Sequence, residues 1–549
     1  MQPDPTKQPI PRHPEPEPTK QALAAAQPES EPAKQAHATQ PAPEPAKQAP
    51  ATQPAPEPAK QAPATQPAPG PAKQAPAAQH ESEPAKQAHA TQPAPEPAKQ
   101  APAPQTKLER MLTRPVELLV LQMAVPTIVI MLITALYNMA DTYFVSFLGT
   151  SATAGVGIIF SLMAIIQAIG FLFGQGAGNV ISRALGAKDS RQASEMATTA
   201  TITAFFFGLA LMAFGLVFLT PLNYFLGATD TILPHSKSYM RLILIGCPFM
   251  VTSLALNNLL RFQGSANHGM VGMVSGAVLN IFLDPLLIFV FHMGVAGAAL
   301  ATIVSQAISC AILFVMCQRG ENVRISLSHF APSFHTYYEI LRNGAPSLLR
   351  QLLASVATIV LNQAARPYGD AAIAAISIVN RVVMMAASAL LGFGQGFQPV
   401  CGFNYGAGRY DRVKRAFYFC VRYSSLFLLI VAVLGYANAR AVIELFRKDD
   451  PDVVRIGTVS LRLVCLSQPL MGWVILNNML LQTTGRALPA SILATVRQGV
   501  FLIPILLIFS ARFGLLGIQM STPIADALTF ALSLPMGIKA LREMRMPAG

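Results

Sequence analysis

Two carboxylates stand where this chain can least accommodate a charge. Asp141 lies in Leu136-Tyr137-Asn138-Met139-Ala140-Asp141-Thr142 and Asp284 in Leu279-Asn280-Ile281-Phe282-Leu283-Asp284-Pro285, both within long apolar runs. A charge at the centre of a membrane span costs about 3 kcal/mol even on mild insertion scales, so each is a functional candidate from the outset. Asn280 and Asp284 are spaced i,i+4 and share a helix face; Asn138 and Asp141 are spaced i,i+3. Pro285 has no N–H for the Ile281 carbonyl and disfavours helical geometry at Asp284, so the turn should bend or open there. A freed carbonyl beside a carboxylate suits a cation or a relayed proton. Burial disfavours the charged form of a carboxyl group, which can then exchange a proton near neutral pH, or hold sodium with help from a second carboxylate and neutral oxygens. Thr302 is eight residues past Gly294 in a helix running the other way, which brings it to the depth of Asp284, roughly 12 Å in. Asp141, Asp284, Asn280 and Thr302 therefore form the candidate coupling-ion group, for a proton or sodium.

The elements that must position these residues are membrane helices. Apolar windows predict twelve, at 116–139, 154–180, 197–219, 238–260, 270–292, 294–317, 341–365, 372–399, 416–437, 457–481, 488–510 and 514–537, each about the 20 residues that a bilayer demands. The 549-residue average composition, 52% hydrophobic and 12% charged, mixes two unlike pieces. Residues 1–106 hold 27 of the 44 prolines and no aromatic residue or valine. From Glu31 they repeat every 13 residues, with Lys34, Lys47, Lys60, Lys73, Lys86 and Lys99 in register. This piece has nothing to bury and is expected to be a disordered Pro/Ala-rich tail. It also lacks the apolar core of a signal peptide. The remaining residues carry 31 basic and 17 acidic groups. A soluble enzyme or a nucleic-acid-binding protein is excluded by the apolar runs, and the basic excess reads as topology.

An internal repeat organises the spans. A shift of 220 residues places Pro126 on Pro346, Gly149 on Gly369, Gly174-Gln175-Gly176 on Gly394-Gln395-Gly396 and Gly186-Ala187 on Gly406-Ala407. It also places Asn257-Asn258 on Asn477-Asn478, and Gly294 and Thr302 on Gly514 and Thr522. Lysines and arginines near the span ends divide seventeen to seven, the rich side including Arg114, Arg183, Lys188, Arg261, Arg409 and Arg412. The rich side is expected to be cytoplasmic, with both termini on it and six spans per half. Two parallel six-helix bundles related by a pseudo-twofold axis are the architecture of a transporter that rocks about a central cavity. The domain reading is a tail at 1–106, a first lobe at 107–325 and a second lobe at 326–549.

The second half has no acid at the places of Asp141 and Asp284. It carries Arg350, Arg366, Arg381 and Arg497 in or beside its spans, and Asp526 in the twelfth. Tyr137, Asn138, Asn257, Gln175, Gln395 and Arg381 are candidates for the cavity wall or for substrate contact, and Pro126, Pro285 and Pro346 for bends or gating points. Gly174-x-Gly176-x-Gly178 ends an apolar span instead of following a strand, so it reads as helix packing and not as a dinucleotide site. A phosphate-binding Gly-x-x-x-x-Gly-Lys-Ser/Thr loop is absent, and neither the nine histidines nor the six cysteines show metal-ligand spacing. No cofactor and no metal site are expected. Cys247, Cys310, Cys317, Cys401, Cys420 and Cys465 read as small apolar fillers.

Taken together, Tyr137-Asn138-x-x-Asp141-Thr142, the paired Gly-Gln-Gly to Gly-Ala loops, Asn257-Asn258-x-x-x-x-Gln263-Gly264 and Asn280-x-x-x-Asp284-Pro285 resemble the multidrug and toxic compound extrusion (MATE) family, in particular its DinF-like bacterial branch. The resemblance covers about residues 107–549. It implies two six-helix bundles around a cavity, an outward-opening V, and export of amphipathic, often cationic, compounds in exchange for protons or sodium. It implies that the aspartate pair of the first lobe, with its asparagine and threonine neighbours, carries the coupling ion. A monomer in the bacterial inner membrane is expected, acting on small-molecule drugs or metabolites without nucleic acid. A lipid-linked precursor flippase of the same superfamily is the alternative, in which the second-half arginines would hold a pyrophosphate; a major-facilitator exporter lacks its charge signature here. An integral membrane enzyme would require a clustered catalytic set, which is not found.

Overall fold

A computed structural model of the chain describes residues 107–320 and 323–544. The repetitive segment at 1–106 and Arg545 lie outside the described residues. All regular elements among the described residues are helical. A short α1 (Lys107–Thr113) leads into α2 (Val116–Ser146), α3 (Thr150–Gly186) and α4 (Ser190–Val217). A second short helix, α5 (Leu219–Phe225), precedes α6 (Leu233–Phe262), α7 (Ala266–Pro285) and α8 (Val295–Gln318). The second half repeats this with α9 (Phe334–Ala365), α10 (Asp370–Gly406), α11 (Tyr410–Ala437), the short α12 (Ala439–Phe446), α13 (Pro451–Thr483), α14 (Ala487–Thr495) and α15 (Ile503–Glu543).

The 220-residue shift holds at the level of the backbone. The ends of α3 and α10 are each 220 apart, and so are those of α4 and α11. The short α5 and α12 start 220 apart as well; neither was expected, because seven or eight residues are too few for a span. Counted by length, the apolar helices number eleven, since 57 residues from Ala487 to Glu543 run together. At 1.5 Å per residue such a rod would be about 85 Å long, well over twice the bilayer core. Gly514 breaks it with φ 59° and ψ −137°, as Gly294 does with φ 55° between α7 and α8. Twelve spans result.

The helices are longer than the apolar windows. α3 and α10 continue to Gly186 and Gly406, not to 180 and 399, and most of the added residues are buried, among them Ile181, Leu185, Val400 and Phe403. Pro285 acts one turn later than expected. Asp284 remains helical, and the helix widens only after the proline, into the π turn Leu286–Val290. The missing N–H is absorbed by that wider turn and not by an opening at the carboxylate. Helices α2 and α9 run on through Pro126 and Pro346, both buried.

The halves meet near the end of the bundle that bears Arg183, Lys188 and Arg409, called the basic end below. There Gly176 of α3 lies against Ile340 and Gly344 of α9, while Gly396 of α10 lies against Ala124 of α2. Under the shift these are the same crossing made twice. A β-carbon at either glycine would overlap the facing backbone, so small residues are what let the helices touch. Ser182 meets Gly402, its own counterpart under the shift, and the pseudo-twofold axis therefore passes between α3 and α10 at that point.

Candidate functional site

Four helices of the first half bring polar groups to one buried point. α2 supplies Asp141, α7 supplies Asn280 and Asp284, α8 supplies Thr302 and α6 supplies Tyr239. Asp284 is fully buried and Asp141 is 4% exposed. The i,i+4 spacing on α7 delivers the expected shared face: Asn280 Nδ2 donates to Asp284 Oδ1 at 3.3 Å and also reaches Thr302 Oγ1 at 3.4 Å. Thr302 and Asp284 therefore stand at one depth, joined by the amide. The Tyr239 hydroxyl donates to Asp141 Oδ2 at 3.5 Å.

Acceptor capacity is left over. Asp141 Oδ1, Asp284 Oδ2, Asn280 Oδ1 and Ser305 Oγ are buried without a hydrogen-bond partner. Buried polar atoms are as a rule hydrogen-bonded, so four such oxygens close to two carboxyl groups make an acceptor-rich site. Beside them lies a cavity of about 10 Å³ lined by Thr134, Tyr137, Asn280, Thr302, Ser305 and Gln306. That is room for about one water-sized particle. A proton on either carboxyl, or a small monovalent cation among these oxygens, would engage part of this acceptor set.

The other residues singled out in the sequence are dispersed. Tyr137 is buried and borders the small cavity. Asn138 is half-buried and makes no side-chain hydrogen bond; only its carbonyl is engaged, by Thr142. Asn257, Gln175 and Gln395 do not line an open cavity. Asn257 is 6% exposed with its Oδ1 against Gly269, and Gln175 is buried in α3. Gln395 is taken up by Arg261, whose Nη1 donates to its Oε1 across the junction. The repeated Gly-Gln-Gly stretches of Gln175 and Gln395 are helical and lie where the halves pack, and packing excludes these side chains from a cavity. Arg381 is exposed on α10.

Several arginines of the basic end do more than mark topology. Arg261 is itself buried, and its Nη2 donates to Asn258 Oδ1 at 2.5 Å. Arg183 of α3 donates to the Thr483 carbonyl at 2.8 Å and to Asn343 Oδ1 at 3.4 Å, tying it to α13 and α9. Arg409 donates to the Leu112 carbonyl at 2.7 Å, and Arg412 to the Arg114 carbonyl at 2.5 Å, which pins α1 to the second half. In the second half Arg497 pairs with Asp526 at 2.9 Å, and Ser467 also donates to that carboxylate at 3.1 Å. Tyr239 and the Arg261 contact are absent from the sequence reading. A phenol within an apolar span is common packing, and Arg261 looks like any other interfacial cation until its neighbours are known.

Twelve spans in two parallel repeats, with two buried carboxylates in the first half that have no ion-pair partner among the described residues, define a polytopic membrane carrier. The MatE family model matches residues 126–286 and 346–508, and the chain belongs to that family of membrane transporters. The multidrug export protein MepA of Staphylococcus saprophyticus is 28% identical over 422 residues, covering 76% of this chain and 93% of its own length. Among solved structures, an outward-facing multidrug resistance MATE transporter of the MOP superfamily superposes with a TM-score of 0.76 at 26% identity, over 80% of this chain and 99% of its own. A MOP superfamily transporter from Pyrococcus furiosus, for which a reversed polarity of the binding pocket is taken to suggest a different function, gives 0.75 and 26% over the same shares.

Proposed function

We propose that this protein is a secondary active multidrug exporter, in which outward movement of amphipathic organic compounds is driven by entry of protons or sodium at the Asp141, Asp284, Asn280 and Thr302 group. The observation that carries this reading is the set of partnerless oxygens around Asp141 and Asp284, the only buried acids of the first half among the described residues. Occupation by a cation lowers the negative charge of the group and engages some of those oxygens, so the first half has a different packing energy when loaded and when empty. A difference of that kind lets an ion gradient bias a conformational equilibrium. The relatives named for multidrug export support the substrate range. In this reading the lobes are 107–325 and 326–549, and the basic end faces the cytoplasm of a bacterial inner membrane with both termini on that side. A monomer completes it, since each lobe finds its partner within one chain. The flippase alternative loses one of its arginines, because Arg497 is engaged by Asp526.

The test is gradient-driven transport in proteoliposomes containing the full chain. Asp284→Asn should abolish accumulation of a fluorescent drug under imposed proton or sodium gradients while leaving drug binding intact. Undiminished gradient-driven transport by that variant would remove the coupling assignment.

A further inference from the structure

The helix faces that touch at the basic end can be followed along their helices to where they separate. On α10, Gly392 lies against Ile128 of α2 and Gly396 against Ala124. Stepping back along the same face by three or four residues at a time reaches Ser388, Met384 with Met385, and Arg381. Met384 is 69% exposed and Met385 57%, and Arg381 is exposed too. The facing surface of α2 continues from Ile128 to Leu132, Leu136 and Met139, which are exposed as well. On α9 the face that begins at Ile340 and Gly344 continues through Ser355 to Thr358 and Asn362, of which the last two are exposed. On α3 the matching face leads to Ile165, 40% exposed, and to Ser161. Two surfaces that pack against each other near the basic end therefore part beyond it, and the exposed residues on them are the walls of the cleft between the halves.

The two walls differ in charge. The first half contributes Leu132, Leu136, Met139 and Ile165 with the hydroxyl of Ser161, and is largely apolar. The second half contributes Met384 and Met385, the polar groups of Ser388, Thr358 and Asn362, and one cation, Arg381. Among the described residues Arg381 makes no ion pair or hydrogen bond, whereas Arg497 is engaged by Asp526. Arg350, half-buried on α9, is likewise unpaired. The carboxylates of the first half are turned away into its interior, and the nearest acid on the face of Arg381 is Asp370 at the start of α10. Eleven residues separate them, roughly 16 Å along the helix axis. An unpaired guanidinium deep in a cleft that is apolar on one side disfavours cations and offers a forked donor to a carboxylate, sulfonate or phosphate.

We infer that the cleft selects amphipathic compounds bearing an anionic group, zwitterions included, and that Arg381 recognises that group. The inference rests on the exporter reading for the role of the cleft, but the charge preference can be measured by binding alone. Fluorescein and rhodamine 6G share a xanthene frame and carry opposite charges. Their binding to the purified full-length protein in nanodiscs is read by fluorescence polarisation. The expected result is that fluorescein binds at least about tenfold more tightly, that Arg381→Gln removes this difference, and that Arg381→Lys keeps part of it. Tighter binding of rhodamine 6G by the unmodified protein, or a preference for fluorescein that survives in Arg381→Gln, would overturn the inference. The comparison within the unmodified protein keeps the test decisive even if a variant does not fold. Selective fluorescein binding without gradient-driven transport would instead sink the exporter reading and leave the charge preference standing.

Discussion

Arg261 of the first half and Gln395 of the second are both buried, and the guanidinium donates to the amide oxygen across the junction between the halves. The contact lies among the glycine crossings of the basic end, which a rocking carrier must separate in order to open on that side. Replacement of Arg261 by Leu leaves Gln395 Oε1 and Asn258 Oδ1 without their donor, at about 1–3 kcal/mol each. Thermal unfolding in detergent should therefore shift downward. Spin-label distances across the junction should broaden towards longer separations. An unchanged melting temperature together with an unchanged distance distribution would show that the contact is idle.

The crossings themselves should tolerate no added bulk. Gly344 faces Leu172 and Gly392 faces Ile128, each at backbone contact. Overpacking of this kind costs about 1–3 kcal/mol. Gly344→Val should hold the halves apart at the basic end, which a disulfide cross-link between cysteines placed on α3 and α9 would report as a lowered yield. The same change at Gly227, where nothing faces the glycine but φ is positive, should strain only its own turn and leave the cross-link as it was.

Within the polar group, Tyr239 and Asn280 act on different carboxylates. Tyr239→Phe removes the only side-chain donor to Asp141 among the described residues and keeps the ring, so the fold should persist while the ion dependence of transport changes, at about tenfold in apparent ion affinity for a lost hydrogen bond to a charged group. Asn280→Ala severs both Asp284 and Thr302 from their common donor and should be the more damaging of the two. Half-maximal proton or sodium concentration for transport is the measurement, and equal values for both variants and the parent would exclude roles in ion binding.

Arg497 and Asp526 form an ion pair in which the acid is almost fully buried. Removing the acid alone leaves the part-exposed Arg497 without its partner and Ser467 without its acceptor, whereas removing both charges can be neutral. Asp526→Leu should therefore lower the melting temperature, and Arg497→Met with Asp526→Leu should recover most of the loss. Additive losses in the double variant would mean that the two residues are stabilised independently.

Much of this architecture was legible in the residues. The 220-residue shift is a property of the chain, and because equal segments fold alike in the same solvent, it carried over to helix ends such as Gly186 and Gly406. Asn280 and Asp284 share a face because the α-helical period demands it. The break between the last two spans was marked by Gly514, which reaches φ 59° without the clash a β-carbon would bring.

Tertiary structure decided which polar residues are available. Gln175, Gln395 and Arg261 look in the sequence like cavity or surface residues, yet packing near the junction of the halves buries them, and Gln395 and Arg261 become each other's partners there. Tyr239 is one of several tyrosines until α6 carries its hydroxyl to Asp141. The sequence by itself determined the helices, their repeat and the scarcity of charge, since these follow from local hydrophobicity and period. The exposure of Arg381, the burial of Asp141 and Asp284, and the choice of Tyr239 came only from how the helices pack, because burial and contact depend on neighbours that are distant along the chain.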